Sequence, residues 1–127
     1  MEFVAIVIVL ALVQYFVFAL QVGKARGTYK VAAPAVTGDP VFECYYRVQQ
    51  NTLELLVMFI PSIVIFSYWF RPDIGAGIGA VYLVGRFLYA RAYISEPGSR
   101  GLGFVLSMLP TLILLIGGGI AAVLSLL

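Results

Sequence analysis

Arg47, Gln50, Asn51 and Glu54 stand at i, i+3, i+4 and i+7. On an α-helix that spacing puts a guanidinium, two amides and a carboxylate on one face. The stripe is about 10 Å long at a rise of ~1.5 Å per residue. Tyr82, Arg86, Tyr89 and Tyr93 form a second set whose spacing also shares one helical face. Guanidiniums bind carboxylates through a planar fork of donors. A lone carboxylate such as Glu54 suits an ammonium, and the amides and phenols add neutral hydrogen bonds. By residue type, the two stripes point to a small anionic or zwitterionic ligand. If they face each other, Glu54 and Arg86 lie at similar depth. They then either pair and fix two helices, or share in holding the ligand. An interfacial aromatic belt is the other reading of the tyrosines, and it suits Tyr45, Tyr46 and Tyr93 better than Tyr82 and Tyr89. Arg47, Arg91 and Arg100 could equally contact phospholipid and set topology.

The elements that must carry these residues are membrane helices. The chain has 127 residues, 62% of them hydrophobic and 11% charged, with a mean hydropathy of +1.03. A small soluble domain leaves too much of its surface in water to hide that composition. Four apolar runs stand out: Phe3 to Leu20, Leu53 to Phe70, Ile74 to Ile94, and Leu102 to Leu127. Each is near or above the roughly 20 residues that cross a bilayer. Backbone groups in lipid must be bonded internally, so these are expected to be helices. Helix two begins before its apolar run, near Val41. Lys24 to Pro40 reads as a loop, Arg71-Pro72-Asp73 as a tight turn, and Ser95 to Gly101 as the last loop. Pro61 and Pro110 fall inside helices and predict kinks. The expected fold is an all-α membrane protein, a four-transmembrane-helix bundle in which residues 1–127 form one domain. The first run has no basic residues before it and is too long for a signal peptide, so it predicts a retained helix.

Charge placement predicts orientation. Lys24, Arg26, Lys30 and Arg47 flank the first loop, and Arg91 and Arg100 flank the third. By the positive-inside rule both loops face the cytoplasm, and the two stripes open on that side. Gly75 and Gly79, Ala76 and Ala80, and Gly117 to Gly119 suit close helix packing, within a chain or between subunits. A net charge of +2 with no dense basic face gives no case for nucleic acid. With no histidine and a single cysteine there is no expected metal site, no Cys-His nucleophile and no internal disulfide. Cys44 is expected to be a small, mostly buried residue. Gln49 lies off the stripe of its own helix and reads as a surface or subunit contact.

These motifs resemble one family. Arg47 followed by Gln50-Asn51-Thr52-Leu53-Glu54, Val84-Gly85-Arg86-Phe87-Leu88-Tyr89-Ala90 with Tyr93, Glu96-Pro97 with Ser99-Arg100, and Tyr29-Lys30-Val31 look like the MAPEG proteins, the membrane-associated proteins of eicosanoid and glutathione metabolism. The resemblance covers nearly the whole chain. It is nearest to the type-three microsomal glutathione transferases, with leukotriene C4 synthase and the type-two enzymes further off. It implies a four-helix bundle assembled as a homotrimer, in a bacterial inner membrane or the endoplasmic reticulum, with glutathione as co-substrate near the cytosolic face. It further implies that Arg26, Arg47, Gln49, Asn51, Glu54, Tyr89 and Tyr93 bind glutathione, Gln49 from an adjoining subunit. Arg100 would stabilise the thiolate, and Arg86 would support the site from behind. The partner substrate would be a hydrophobic electrophile or a lipid hydroperoxide drawn from membrane lipid, giving transferase or peroxidase activity. Two departures bear on specificity. Arg26-Gly27 stands where leukotriene C4 synthase has two arginines, and Leu55 stands where many members have tyrosine. Both count against leukotriene C4 synthesis. A non-catalytic lipid-binding member of the same family is the alternative, but it lacks the helix-two arginine that is present here as Arg47. A small multidrug transporter would need an acid in helix one, where this chain has only Gln14.

Overall fold

A computed structural model describes all residues 1–127. Four helices follow one another: α1 (Glu2–Tyr29), α2 (Pro40–Trp69), α3 (Pro72–Ser95) and α4 (Gly101–Leu124), with a single 3-10 turn at Pro97–Ser99 before the last. Short connections make neighbours antiparallel. The end of α1, the start of α2, the end of α3 and the start of α4 therefore gather at one end of the bundle. That end carries the first and third loops. α2 and α3 each pack against all the other helices, and α1 and α4 flank them.

The helix ends follow from local chemistry. Asp39 caps α2, its Oδ1 accepting from the backbone N–H groups of Val41 at 2.9 Å and Phe42 at 3.0 Å. Pro40 and Pro72 occupy first-turn positions, where a missing N–H costs nothing. Asp73 in the first turn of α3 suits the positive end of the helix dipole. α1 runs further than its composition suggests, through Gly23 and Gly27 to Tyr29, so the loop is shorter than the predicted Lys24 to Pro40. Packing overrides the glycines: Val22 and Ala25 of this last stretch are buried in one cluster with Val31 and Phe42. Lys30 then ends the helix in the left-handed region at φ 57°. Pro61 and Pro110 lie inside helices that continue through them.

Three segments are long and apolar enough to cross a membrane: Glu2–Tyr29, Pro40–Trp69 and Pro97–Leu124. α3 has the length, at 24 residues, but Arg86, Arg91 and its glycines dilute its hydropathy. Arg86 is wholly buried, so its charge is held inside the bundle and withheld from lipid. Together with the family assignment below, this makes the chain an integral membrane protein. The central core joins Val4, Val7, Leu55, Phe59, Ile63 and Leu114 from three helices with Tyr82 of α3. Small residues set the spacing. A Cβ on Gly79 would lie 2.7 Å from both Ile63 Cδ1 and Val7 Cγ1, so the predicted Gly75/Gly79 face packs within the chain. Buried hydroxyls are satisfied locally: Thr52, Ser107 and Thr111 each donate to a carbonyl one turn back.

Candidate functional site

A ladder of guanidiniums and aromatic rings links the interior to the loop end. Arg86 of α3 is completely buried. Its Nη1 donates to Asn51 Oδ1 of α2 at 2.7 Å and to Thr52 Oγ1 at 3.2 Å. Its Cζ sits 4.1 Å from the centroid of the Tyr89 ring. Tyr89 meets Tyr93 edge to face at 5.5 Å. Tyr93 in turn lies under Arg100, whose Cζ is 5.2 Å from its ring centroid. Arg100 is exposed and is steadied by a 2.7 Å bond from Nη1 to the Pro97 carbonyl of the 3-10 turn. The helical spacing of Arg86, Tyr89 and Tyr93 lets one face of α3 carry the whole run. Cation–π attraction orders the two guanidiniums against the rings.

The tight seam between α3 and α4 holds this ladder in place. A Cβ on Gly103 would collide with the Tyr89 backbone, and one on Gly85 would lie 2.6 Å from the Ser107 nitrogen. Without side chains at these two points, α3 and α4 touch backbone to backbone beside Tyr89. Phe18 of α1 and Val48 of α2 close the other side of that ring. Tyr82, the deepest tyrosine of the predicted stripe, is not on the ladder. It is fully buried and stacks on Phe59 at 3.8 Å, as a core residue.

The polar stripe of α2 is placed differently from expectation. The face α2 buries is Val48, Thr52, Leu55, Leu56 and Phe59. Arg47 and Glu54 are exposed, and Gln49, Gln50 and Asn51 are half-buried. The anticipated Glu54–Arg86 pair does not form. Arg86 reaches the side of α2 that carries Thr52, and at about 100° per residue Glu54 points roughly 160° away from it. Asn51, which lies between, is the stripe residue that meets Arg86. Its Oδ1 is occupied, leaving the amide nitrogen as a donor. Glu54 has no ion-pair partner, and with Asn51 it edges a cavity of about 200 Å³ between α2 and α4. Leu55, Met58, Phe104 and Met108 make the rest of its wall.

Arg26 stands apart from the ladder. Its Nη1 donates to the Ala35 carbonyl at 2.6 Å, and its Cζ lies 4.9 Å from the centroid of the Phe42 ring. It thus ties the first loop to the start of α2. Arg47 and Gln49 make no side-chain hydrogen bond within the chain; at the same end Arg47 is exposed and Gln49 half-buried. Cys44, expected to be mostly buried, is half-buried. One chain therefore unites Asn51, Arg86, Tyr89, Tyr93 and Arg100, puts Glu54 beside them and the Arg47 charge within reach of Tyr89, and leaves Arg26 and Gln49 apart. Residue-by-residue reading missed Thr52, Gly85, Gly103, Phe104 and Met108. Thr52 and Gly85 lie within motifs already singled out, and Gly103 stands in a Gly-x-Gly just after Arg100.

The MAPEG family profile matches residues 4–120. An uncharacterised protein of Synechocystis is 43% identical over 113 residues, covering 89% of this chain and 82% of the relative. Microsomal glutathione S-transferase 2 of Homo sapiens is 43% identical over 104 residues, covering 82% of this chain and 71% of that protein. Leukotriene C4 synthase of Bos taurus is 35% identical over 83 residues, covering 65% and 55% respectively.

Proposed function

The chain belongs to the MAPEG family, and from that premise we propose that it is a membrane glutathione transferase that activates the glutathione thiol with Arg100. The observation that carries this reading is the ladder. An exposed guanidinium is held over Tyr93 at the loop end, backed by rings and a buried guanidinium that fix its footing. The inventory around it fits a zwitterionic tripeptide with extra negative charge. Arg47 offers free donors to a carboxylate, Glu54 is free to take the ammonium, and the Asn51 amide and Tyr89 and Tyr93 hydroxyls complete the set. Arg86 serves as a positioning residue, because its contact with Asn51 fixes which end of that amide faces out.

One copy does not enclose such a ligand. A cavity of about 200 Å³ falls below the roughly 300–1,000 Å³ of sites that bury a ligand. Arg47 and Gln49 make no side-chain hydrogen bond within the bundle. A homotrimer with the site between subunits accounts for both facts, with Gln49 and Arg26 serving the neighbouring copy's site. In that reading the loops face the cytosol, on the basic side.

Charge gives the mechanism. A free thiol has a pKa of about 8.5 and is mostly protonated at neutral pH. A guanidinium beside the sulfur favours the thiolate. Lowering the pKa by about two units asks ~2.7 kcal/mol of Arg100, within reach in a partly dry site. The sulfur then supplies the nucleophile, forming a C–S bond to an apolar electrophile from the bilayer as the leaving group departs. With a lipid hydroperoxide it takes the terminal oxygen, the O–O bond breaks to leave an alcohol, and the resulting sulfenic acid condenses with a second glutathione to give the disulfide and water. Conjugation of chlorodinitrobenzene by the purified protein tests the reading. Wild type should turn over, and Arg100→Ala should lose about 10²-fold or more in kcat/KM. Full activity in Arg100→Ala would remove the assigned role. No conjugation or peroxidase turnover by wild type would favour a lipid-binding member without catalysis.

A further inference from the structure

A second cavity, of about 490 Å³, lies between α1 and α3, on a different side of α3 from the ladder. At about 100° per residue, Phe87, Ala90, Arg91 and Ile94 cluster around one direction of α3, while Arg86, Tyr89 and Tyr93 cluster about 120° away. The walls are apolar: Val17 and Phe18 of α1 face Phe87, Ala90 and Ile94 of α3. Val17 and Phe87 are exposed at 41% and 55%, so the groove opens sideways from the bundle, toward lipid. Its deep end is closed by Gln14, whose Nε2 donates to the Leu83 carbonyl at 3.0 Å and ties α1 to α3.

The other end carries Arg91, four residues before the end of α3. The Arg91 side chain is exposed and forms no hydrogen bond or ion pair within the chain, and no carboxylate lines the groove. Arg26, Arg71, Arg86 and Arg100 each donate to an acceptor in the fold. An unpaired guanidinium at the mouth of an apolar slot, one turn from the end of its helix, matches an amphiphile with an anionic head and an acyl tail. The slot is large enough for a small-molecule tail. The head sits where the bilayer surface meets the third loop, and the tail runs inward along α1.

The geometry points to a site for an anionic phospholipid of the surrounding membrane, its phosphate on Arg91 and one acyl chain between Phe18 and Ile94. Phe18 is shared: it walls this groove and also packs in the cluster around Tyr89 and Val48. A bound acyl chain would therefore press on the back of the ladder, so the lipid fixes the α1–α3 spacing behind the transferase site.

Native mass spectrometry of the detergent-purified protein tests this with two vesicle lipids of matched chains, phosphatidylglycerol and phosphatidylcholine. Wild type should retain phosphatidylglycerol at least severalfold better. Arg91→Gln should bring the two to near parity, and Arg91→Lys should keep a partial preference. Val17→Trp, a change at an exposed rim position, should block the slot and reduce retention of both. Arg71→Gln, at the opposite end of the bundle, removes the same charge and should leave the preference intact. Wild-type preference in Arg91→Gln overturns the site, as does an equal loss in Arg71→Gln, which would reduce the effect to overall charge. Wild type retaining neither lipid, with Val17→Trp changing subunit assembly, would give the groove to a second copy of the chain and also overturn it.

Discussion

Arg86 and Arg100 end the same ladder, yet they are opposite kinds of arginine. Arg86 is wholly buried, bonded to an amide and a hydroxyl, with no carboxylate to neutralise it. Two of its donor nitrogens, Nε and Nη2, have no partner. Arg100 is exposed, tethered by one bond to Pro97, with the rest of its fork free. Burial of a charge is costly and rarely improves stability over a well-packed apolar side chain. Exposure of a charge costs little but adds little to the fold. The two positions therefore divide the labour that one residue type can do. The inner guanidinium orients Asn51 and Tyr89, and the outer one is left with donors to give away.

Removing the outer one should produce the largest effect. Arg100→Ala should lower kcat/KM by about 10²-fold or more while leaving the thermal midpoint unchanged. Its pH profile should shift as well. The apparent pKa governing kcat, which reports the bound thiol, should rise toward about 8.5, because the thiolate loses the charge that favours it. Next comes the seam between the two ends. Gly103→Ala sets a methyl group against the Tyr89 backbone, and α3 and α4 must separate to admit it. Overpacking of this kind costs about 1–3 kcal/mol, read as a lower midpoint in detergent together with reduced turnover as Tyr89 shifts. Arg86→Met should behave in the reverse sense. Apolar filling should hold or raise the midpoint, while the released Asn51 amide lowers turnover about tenfold or less, chiefly through the KM for glutathione. If Arg86→Met destabilises the fold and leaves turnover intact, the division of labour is wrong.

Much of this was legible in the sequence, for reasons that also explain what was not. Apolar length gave the helices, and the Pro and Gly clusters gave the turns, because both act locally. The spacing of Arg86, Tyr89 and Tyr93 gave one face of one helix, and the structure keeps it. The partner of Arg86 was not legible. Depth alone put Glu54 level with Arg86, and the rotation of α2 gives Arg86 to Asn51 instead. That rotation is set by which residues bury best, Val48, Thr52, Leu55 and Phe59, a comparison across the bundle that a stripe of polar residues does not contain. The end of α1 follows the same rule. Gly23 and Gly27 favour a loop by propensity, but both meet open space, and burial of Val22 and Ala25 carries the helix through them. Gly85 lies in a motif and Gly103 in a Gly-x-Gly, but only the facing backbone explains why a Cβ is excluded at either.

The smallest effect belongs to a third arginine, and it decides whether the contrast is one of place or merely of charge. Arg71 lies at the far end of the bundle and pairs with Asp73, Nε to Oδ1 at 3.1 Å and Nη2 to Oδ2 at 2.7 Å. Both side chains are 61% exposed. An exposed pair of this sort is worth less than about 1 kcal/mol. It is separated from Arg100 by the length of α3, about 35 Å at a rise of ~1.5 Å per residue, several screening lengths at physiological salt. Arg71→Gln should therefore leave the conjugation rate within about twofold of wild type and its pH profile unmoved. A loss approaching that of Arg100→Ala would mean that total positive charge governs turnover. Tyr93 and the Pro97 carbonyl would then have no reason to hold Arg100 where it is.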